Sequence, residues 1–173
     1  MKTMLDSFQK GEDRPWGSFL VYSQNEPLSA EWLRQFFKEV SSRYPQADKR
    51  GSLTACRDQW INEAGTGMNL TVKLVAVAKS SRLSLQLHTK RSEHWFCLAG
   101  RAYALIGHAG HVVELGPGDS AYVPQRALHR LSSKDEGAVI LEIAEGDFNE
   151  SDIVRLQDDY SRVAPRIQST TSD

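Results

Sequence analysis

From Leu70 onward the apolar positions come in short runs broken by turn residues. The runs are Leu70 to Ala78, Arg82 to His88, His94 to Leu98, Ala102 to Ile106, His111 to Leu115, Ser120 to Val123, His129 to Leu131 and Val139 to Ile143. Between them lie Ala99-Gly100, Gly107 to Gly110, Gly116-Pro117-Gly118-Asp119 and Asp135-Glu136-Gly137. Short strands at regular spacing with Gly-rich turns predict a sandwich or barrel. Earlier in the chain the period changes. Trp32, Leu33, Phe36, Phe37 and Val40 fall at helical spacing, predicting an amphipathic helix from Ser29 to about Arg43. Ser29 can cap it, Glu31 suits its first turn, and Tyr44-Pro45 ends it. Its stripe is read as core packing. Residues 46–69 are polar and read as loop plus a short helical turn near Asp58 to Asn62. Arg14-Pro15-Trp16-Gly17 punctuates the start of a short strand, Ser18 to Tyr22, and residues 23–28 read as loop.

The candidate chemistry begins in Leu83-Ser84-Leu85-Gln86-Leu87-His88. Side chains alternate along a strand, so Gln86 and His88 share one face and the leucines the other. If that polar face points into a closed barrel, both groups need partners, because each left unpaired costs roughly 1–3 kcal/mol. One metal ion satisfies both. Glu93 follows His88 by five positions, and His129 follows Pro124 and a tight Gln125 to Leu128 bend. Gln86, His88, Glu93 and His129 make a mixed nitrogen and oxygen set. Such a set suits one divalent ion, zinc first, with manganese, iron, cobalt or nickel as alternatives, better than magnesium. His94 is read as packing or as a residue behind the ligands, and His108 and His111 as turn residues.

Composition narrows the setting. A chain of 173 residues fits one domain with a modest extra segment. The net charge of −1 gives no sign of a nucleic-acid or membrane partner, while a local basic pocket could still take an anion. Nothing resembles a signal peptide, and no stretch approaches the roughly 20 apolar residues of a membrane span. Cys56 and Cys97 are 41 positions apart and fit no zinc or redox spacing. Cys97, inside an apolar run, is read as a reduced thiol. A cytoplasmic protein is expected.

Arg14-Pro15-Trp16-Gly17-Ser18-Phe19, the string from Leu83 to His88, and Arg91, Glu93, His94 and Trp95 after it resemble the cupin domain of type II phosphomannose isomerases. That domain is also the C-terminal half of bifunctional mannose-1-phosphate guanylyltransferases. The spacing Gln-x-His-x4-Glu-x6-Gly, then Gly118-x5-Pro124-x4-His129, matches the two-part cupin pattern, with Gln86 in place of the first histidine. Asp152 to Arg162 resembles the same family's closing motif. The resemblance implies a mainly β fold, a cupin-type double-stranded β-helix (jelly-roll barrel) with a helical insertion near residues 29–44. It implies a single cupin domain over residues 1–173. Its barrel comprises 14–22 and 70–162, its insertion 23–69 and its tail 163–173, with the insertion able to cover or reshape the pocket mouth. Without a Gly-rich nucleotidyltransferase signature, guanylyl transfer is not expected. Two local departures stand out: Pro124-Gln125-Arg126 lacks the family's turn glycine, and Asn149 and Ser151 replace glycine and aspartate.

The implied activity is metal-dependent interconversion of mannose 6-phosphate and fructose 6-phosphate, an isomerase acting on a small sugar phosphate. Arg91 takes the position of the family's motif arginine and is expected to assist the developing oxyanion. Lys73 and Glu142 are candidates for the proton shuttle. Lys90, Arg155 and Arg162 could meet the phosphate; equally, Arg155 and Arg162 could pair with Asp152, Asp158 and Asp159 to pin the C-terminal segment. Another metal-dependent cupin enzyme, an epimerase or dioxygenase, and a non-catalytic sugar-binding or regulatory cupin are the alternatives. A homodimer through an exposed strand edge or the Trp32/Phe36 helix is compatible with the pattern.

Overall fold

The computed structural model of the protein describes Leu5 and residues 13–64, 66–107 and 110–160. Arg162, His108 and the tail of 163–173 lie outside the described residues. The strands are β1 (Asp13–Arg14), β2 (Gly17–Pro27), β3 (Asn69–Val77), β4 (Leu85–His88), β5 (Arg91–Gly100) and β6 (Ala102–Ile106). After these come β7 (His111–Leu115), β8 (Ser120–Val123), β9 (His129–Ser132), β10 (Ala138–Gly146) and β11 (Ile153–Gln157). Two helices, α1 (Ala30–Arg43) and α2 (Ser52–Glu63), stand between β2 and β3. A six-stranded sheet in the order β1-β2-β3-β10-β5-β8 faces a five-stranded sheet in the order β11-β4-β9-β6-β7, with antiparallel pairing throughout. This is the expected jelly roll.

Alternation assigns each strand residue to one of two cores. Val75, Val77, Trp95, Cys97 and Ile140 from the first sheet meet Ala102, Ala104, Leu115 and Leu131 from the second inside the barrel. The opposite phase of the first sheet, including Leu74, Phe96, Leu98, Leu141 and Ile143, packs outward against the helices. From α1, Leu33, Phe36, Phe37 and Val40 are buried there, and from α2 Leu53 and Trp60. The rings of Phe37 and Trp60 stack at 6.0 Å between centroids.

The helix ends explain why one was legible and the other less so. Ser29 Oγ accepts from the Trp32 amide at 3.1 Å, the cap read from sequence. α2 starts after Gly51, which sits at φ 75°, and its Thr54 amide donates to Asp48 outside the helix. It therefore runs well beyond the turn expected near Asp58 to Asn62. The insertion also differs from expectation in place. It backs the outer face of the six-stranded sheet, and no residue of α1 or α2 lines the cavity inside the barrel.

Candidate metal centre and basic cavity

β4 turns Gln86 and His88 into the barrel, and β5 turns Arg91, Glu93 and Trp95 inward beside them. Pairing of β4 with β9 sets Gln86 opposite His129. The result is a tight cluster. His88 Nε2 lies 3.1 Å from Glu93 Oε1 and 3.2 Å from His129 Nε2, and His129 Nε2 lies 3.8 Å from Glu93 Oε2. These three residues are buried and could hold a metal ion. The Gln86 amide joins them, its Nε2 atom 3.4 Å from His88 Nε2, while Ser84 Oγ donates to its Oε1 at 2.6 Å. A half-turn of the amide exchanges its oxygen and nitrogen and would present the oxygen to the imidazoles.

Two observations test the fit of a cation. His129 Nδ1 lies 2.9 Å from the Ala127 carbonyl, which can only accept, so the proton sits on Nδ1 and Nε2 keeps its lone pair. Around His88 the polar demand exceeds what one nitrogen can meet. Its Nε2 faces Arg91 Nη2 at 3.0 Å as well as Glu93, His129 and Gln86, while its Nδ1 is buried with no hydrogen-bond partner. Two inward lone pairs, a carboxylate and an amide form a donor set that a divalent ion of the zinc or manganese type fits.

Charge is fixed by Arg91, which is 2% exposed. Its Nε donates to Glu93 Oε1 at 3.0 Å, and Trp95 Nε1 donates to Glu93 Oε2 at 3.2 Å. Burial pushes the Glu93 carboxyl up, but its contact with His88 and the nearby Arg91 guanidinium outweigh it and hold the group below the ordinary carboxylate range. Burial pushes the His88 imidazole down, against the pull of Glu93. The permanent cation facing Glu93 is therefore Arg91.

Beside the cluster a cavity of about 90 Å³ lies between the two sheets and shares Gln86 and Glu93 with it. Four basic side chains line it, Arg14, Lys73, Arg91 and Arg155, against two carboxylates, Glu93 and Glu142. Lys73 and Glu142 are cross-strand neighbours with Nζ and Oε1 3.5 Å apart. Burial, and then the nearby Glu93, push the Glu142 carboxyl up, against the pull of Lys73.

The predicted residues do not all converge. Gln86, His88, Glu93, His129, Arg91, Lys73, Glu142 and Arg155 belong to the cluster or its cavity. Lys90 is exposed, lies outside the cavity lining, and points its Nζ at Asp147 Oδ2, 3.6 Å away. Asp152 accepts from the amides of Thr89 and Lys90, and Asp159 pairs with Arg82, so these two aspartates pin the C-terminal segment through partners the sequence did not suggest. His94 points away from the cluster, into the helix-facing core, with its ring 5.3 Å from that of Trp60. His111 is exposed. Arg126, standing where the turn glycine was expected, keeps the left-handed backbone at φ 64°, and its amide donates to the His88 carbonyl at 2.6 Å. Arg14 was missed as a cavity residue. Its position beside Trp16, two residues before the inward Trp-Gly strand, was the available signal.

A jelly-roll barrel with this inward set defines a cupin with a candidate metal centre. Residues 59–158 match the family described as Mannose-6-phosphate isomerase C-terminal, and the chain belongs to that family. It is 36% identical over 99 residues to the mannose-1-phosphate guanylyltransferase ManC of Salmonella typhimurium, covering 56% of this chain and 20% of that protein. It is 35% identical over 105 residues to the alginate biosynthesis protein AlgA of Pseudomonas aeruginosa, covering 59% and 21%. The chain thus spans about a fifth of the length of the curated relatives it matches. An oxalate decarboxylase structure shares the fold, with TM-score 0.52 and 18% identity over 86% of this chain and 30% of that one. No helix among the described residues is long and apolar enough to cross a membrane.

Proposed function

We propose that the chain is a metal-dependent sugar-phosphate isomerase of the mannose-6-phosphate type, interconverting aldose and ketose phosphates through an enediol. The observation that carries this reading is the pairing of Lys73 with Glu142 in a basic cavity directly beside the His88, Glu93 and His129 cluster. A divalent ion, zinc first, held by Gln86, His88, Glu93 and His129, would supply Lewis-acid polarisation of the substrate oxygens. Arg91 offers N–H groups to the oxyanion that develops. Glu142, with its raised carboxyl affinity for protons, takes the proton from C2 of the aldose. The C2–H electron pair becomes the C1–C2 double bond, and Lys73 gives a proton to O1. In the return half Lys73, which gave its proton to O1, takes the proton from O2; a carbonyl forms at C2 and Glu142 delivers its proton to C1. Arg155 and Arg14, which line the same cavity, would take the phosphate. The free thiols of Cys56 and Cys97 suit a reducing, cytoplasmic setting.

The test is incubation of metal-replete protein with mannose 6-phosphate, followed by NMR of the sugar. Fructose 6-phosphate is expected to appear, and to stop appearing after chelation. Unchanged substrate with metal-replete protein, or conversion that survives full chelation, overturns the reading.

A further inference from the structure

The loop from β10 to β11 carries a buried aromatic ring that holds two of the cavity's cations. Lys73 Nζ lies 3.6 Å from the centroid of Phe148, and the Arg91 guanidinium carbon lies 4.2 Å from it. Phe148 itself is 5% exposed. Its backbone is fastened by a residue distant in sequence. Asn25 Oδ1 accepts from the Phe148 amide at 2.8 Å, and Asn25 Nδ2 donates to the Phe148 carbonyl at 3.1 Å and to Asp147 Oδ1 at 3.0 Å. Asn25 lies where the β2 register shifts between Ser23 and Glu26, at φ 58°. Asparagine tolerates that left-handed backbone better than most residues, and an irregularity of this kind re-aims a side chain. The Asn25 amide is tied in turn to Thr71 Oγ1 on β3 at 3.0 Å.

The electrostatics give the ring a task. Two cations in a desolvated cavity repel each other, and each is drawn to the negative face of an aromatic ring. Lys73 carries its ammonium on a flexible stem. Its near anchors are Glu142 at 3.5 Å and this ring, the Phe19 centroid lying farther off at 5.9 Å. Arg91 is held by Glu93 through Nε, and the ring supplies a further contact that fixes its plane. We propose that Phe148, fastened by Asn25, is a positioning residue that sets Lys73 and Arg91 for the reacting atoms of the substrate. Its catalytic consequence rests on the isomerase reading above.

The test compares metal-loaded wild type with Phe148→Leu, Phe148→Tyr and Asn25→Ala. Phe148→Leu is expected to lower kcat about tenfold or more, leave KM for mannose 6-phosphate within about twofold, and be rescued by Phe148→Tyr. An unchanged kcat, or a rise in KM in its place, overturns the proposal. A second readout needs no turnover. The Arg91 Nε–H proton, shifted in frequency by the ring, should move and exchange faster with water in Phe148→Leu, and stay in place in Phe148→Tyr. An Arg91 signal unmoved by loss of the ring overturns the proposal. If wild type does not isomerise the sugar, the isomerase reading falls, and this signal alone decides whether Phe148 places Arg91. Asn25→Ala leaves the ring but unfastens it, so it carries both readouts should Phe148→Leu fail to fold.

Discussion

Replacing Glu93 with glutamine isolates the ion pair at the base of the barrel. The carboxylate takes Arg91 Nε at 3.0 Å and Trp95 Nε1 at 3.2 Å, one on each oxygen, in a site where the Arg91 and Glu93 side chains are only 2% and 3% exposed. Glutamine keeps the volume. Its amide has one oxygen and one NH2 group, so whichever way it turns, one of the two donors loses its acceptor and meets another N–H. A buried donor left unmet costs about 1–3 kcal/mol. The Arg91 charge also loses its counter-ion, and removing one partner of a buried pair costs about 3–5 kcal/mol. The two costs overlap, because the amide still meets one donor, so the expected loss is about 3–5 kcal/mol in all. Urea unfolding with a chelator present reads it without metal linkage. With a slope of about 2 kcal/mol/M, the midpoint should fall by about 1.5–2.5 M. A fall of less than about 0.5 M would refute the claim that this pair neutralises a buried arginine.

The pH dependence has a definite sign. Because the Glu93 carboxyl is held below its ordinary value, its stabilisation is fully present above the unfolded value of about 4.3 and is lost as pH falls toward the lowered folded value. The stability gap between wild type and Glu93→Gln should therefore be flat at neutral pH and shrink below about pH 4 in urea midpoints; a gap unchanged at pH 3 contradicts this. Trp60→Ala should cost about 3–5 kcal/mol by removing a ring buried under the helices, yet leave the metal content of the folded protein unchanged by elemental analysis. Loss of metal in that variant would contradict the outward placement of α2. Glu142→Gln should lower kcat by about 10²–10⁴-fold with little change in KM, whereas an equal kcat removes Glu142 from the proton path.

Local alternation made much of the barrel readable. β6, β7 and β8 run between the residues the pattern marked, since each is a short apolar run closed by glycine turns. The same period put Gln86 with His88 on a common face. What alternation could not give was anything set by register or by long-range packing. The Lys73–Glu142 contact depends on the exact pairing of β3 with β10. β11 was read as a motif and not as a strand, because Ile153 to Gln157 mixes exposed Val154 and Leu156 with polar neighbours at a sheet edge. α2 was read short, since only Leu53 and Trp60 along it are buried and its cap comes from Asp48 outside the helix. Nor does an amphipathic stripe say which face of a sheet it will cover, so α1 could be foreseen as a helix packed on the core but not as a layer behind the six-stranded sheet. Asn25 gave no signal at all: its task follows from an irregular strand and from a loop that follows it by more than a hundred positions.

The proposed chemistry requires two imidazoles, a carboxylate and an amide to bind one cation together. Calorimetric titration of chelator-stripped protein with zinc tests this directly. One site per chain is expected in wild type, weakened by more than about a hundredfold in His129→Ala. Absence of binding in wild type, or equal binding in the variant, would contradict the claim.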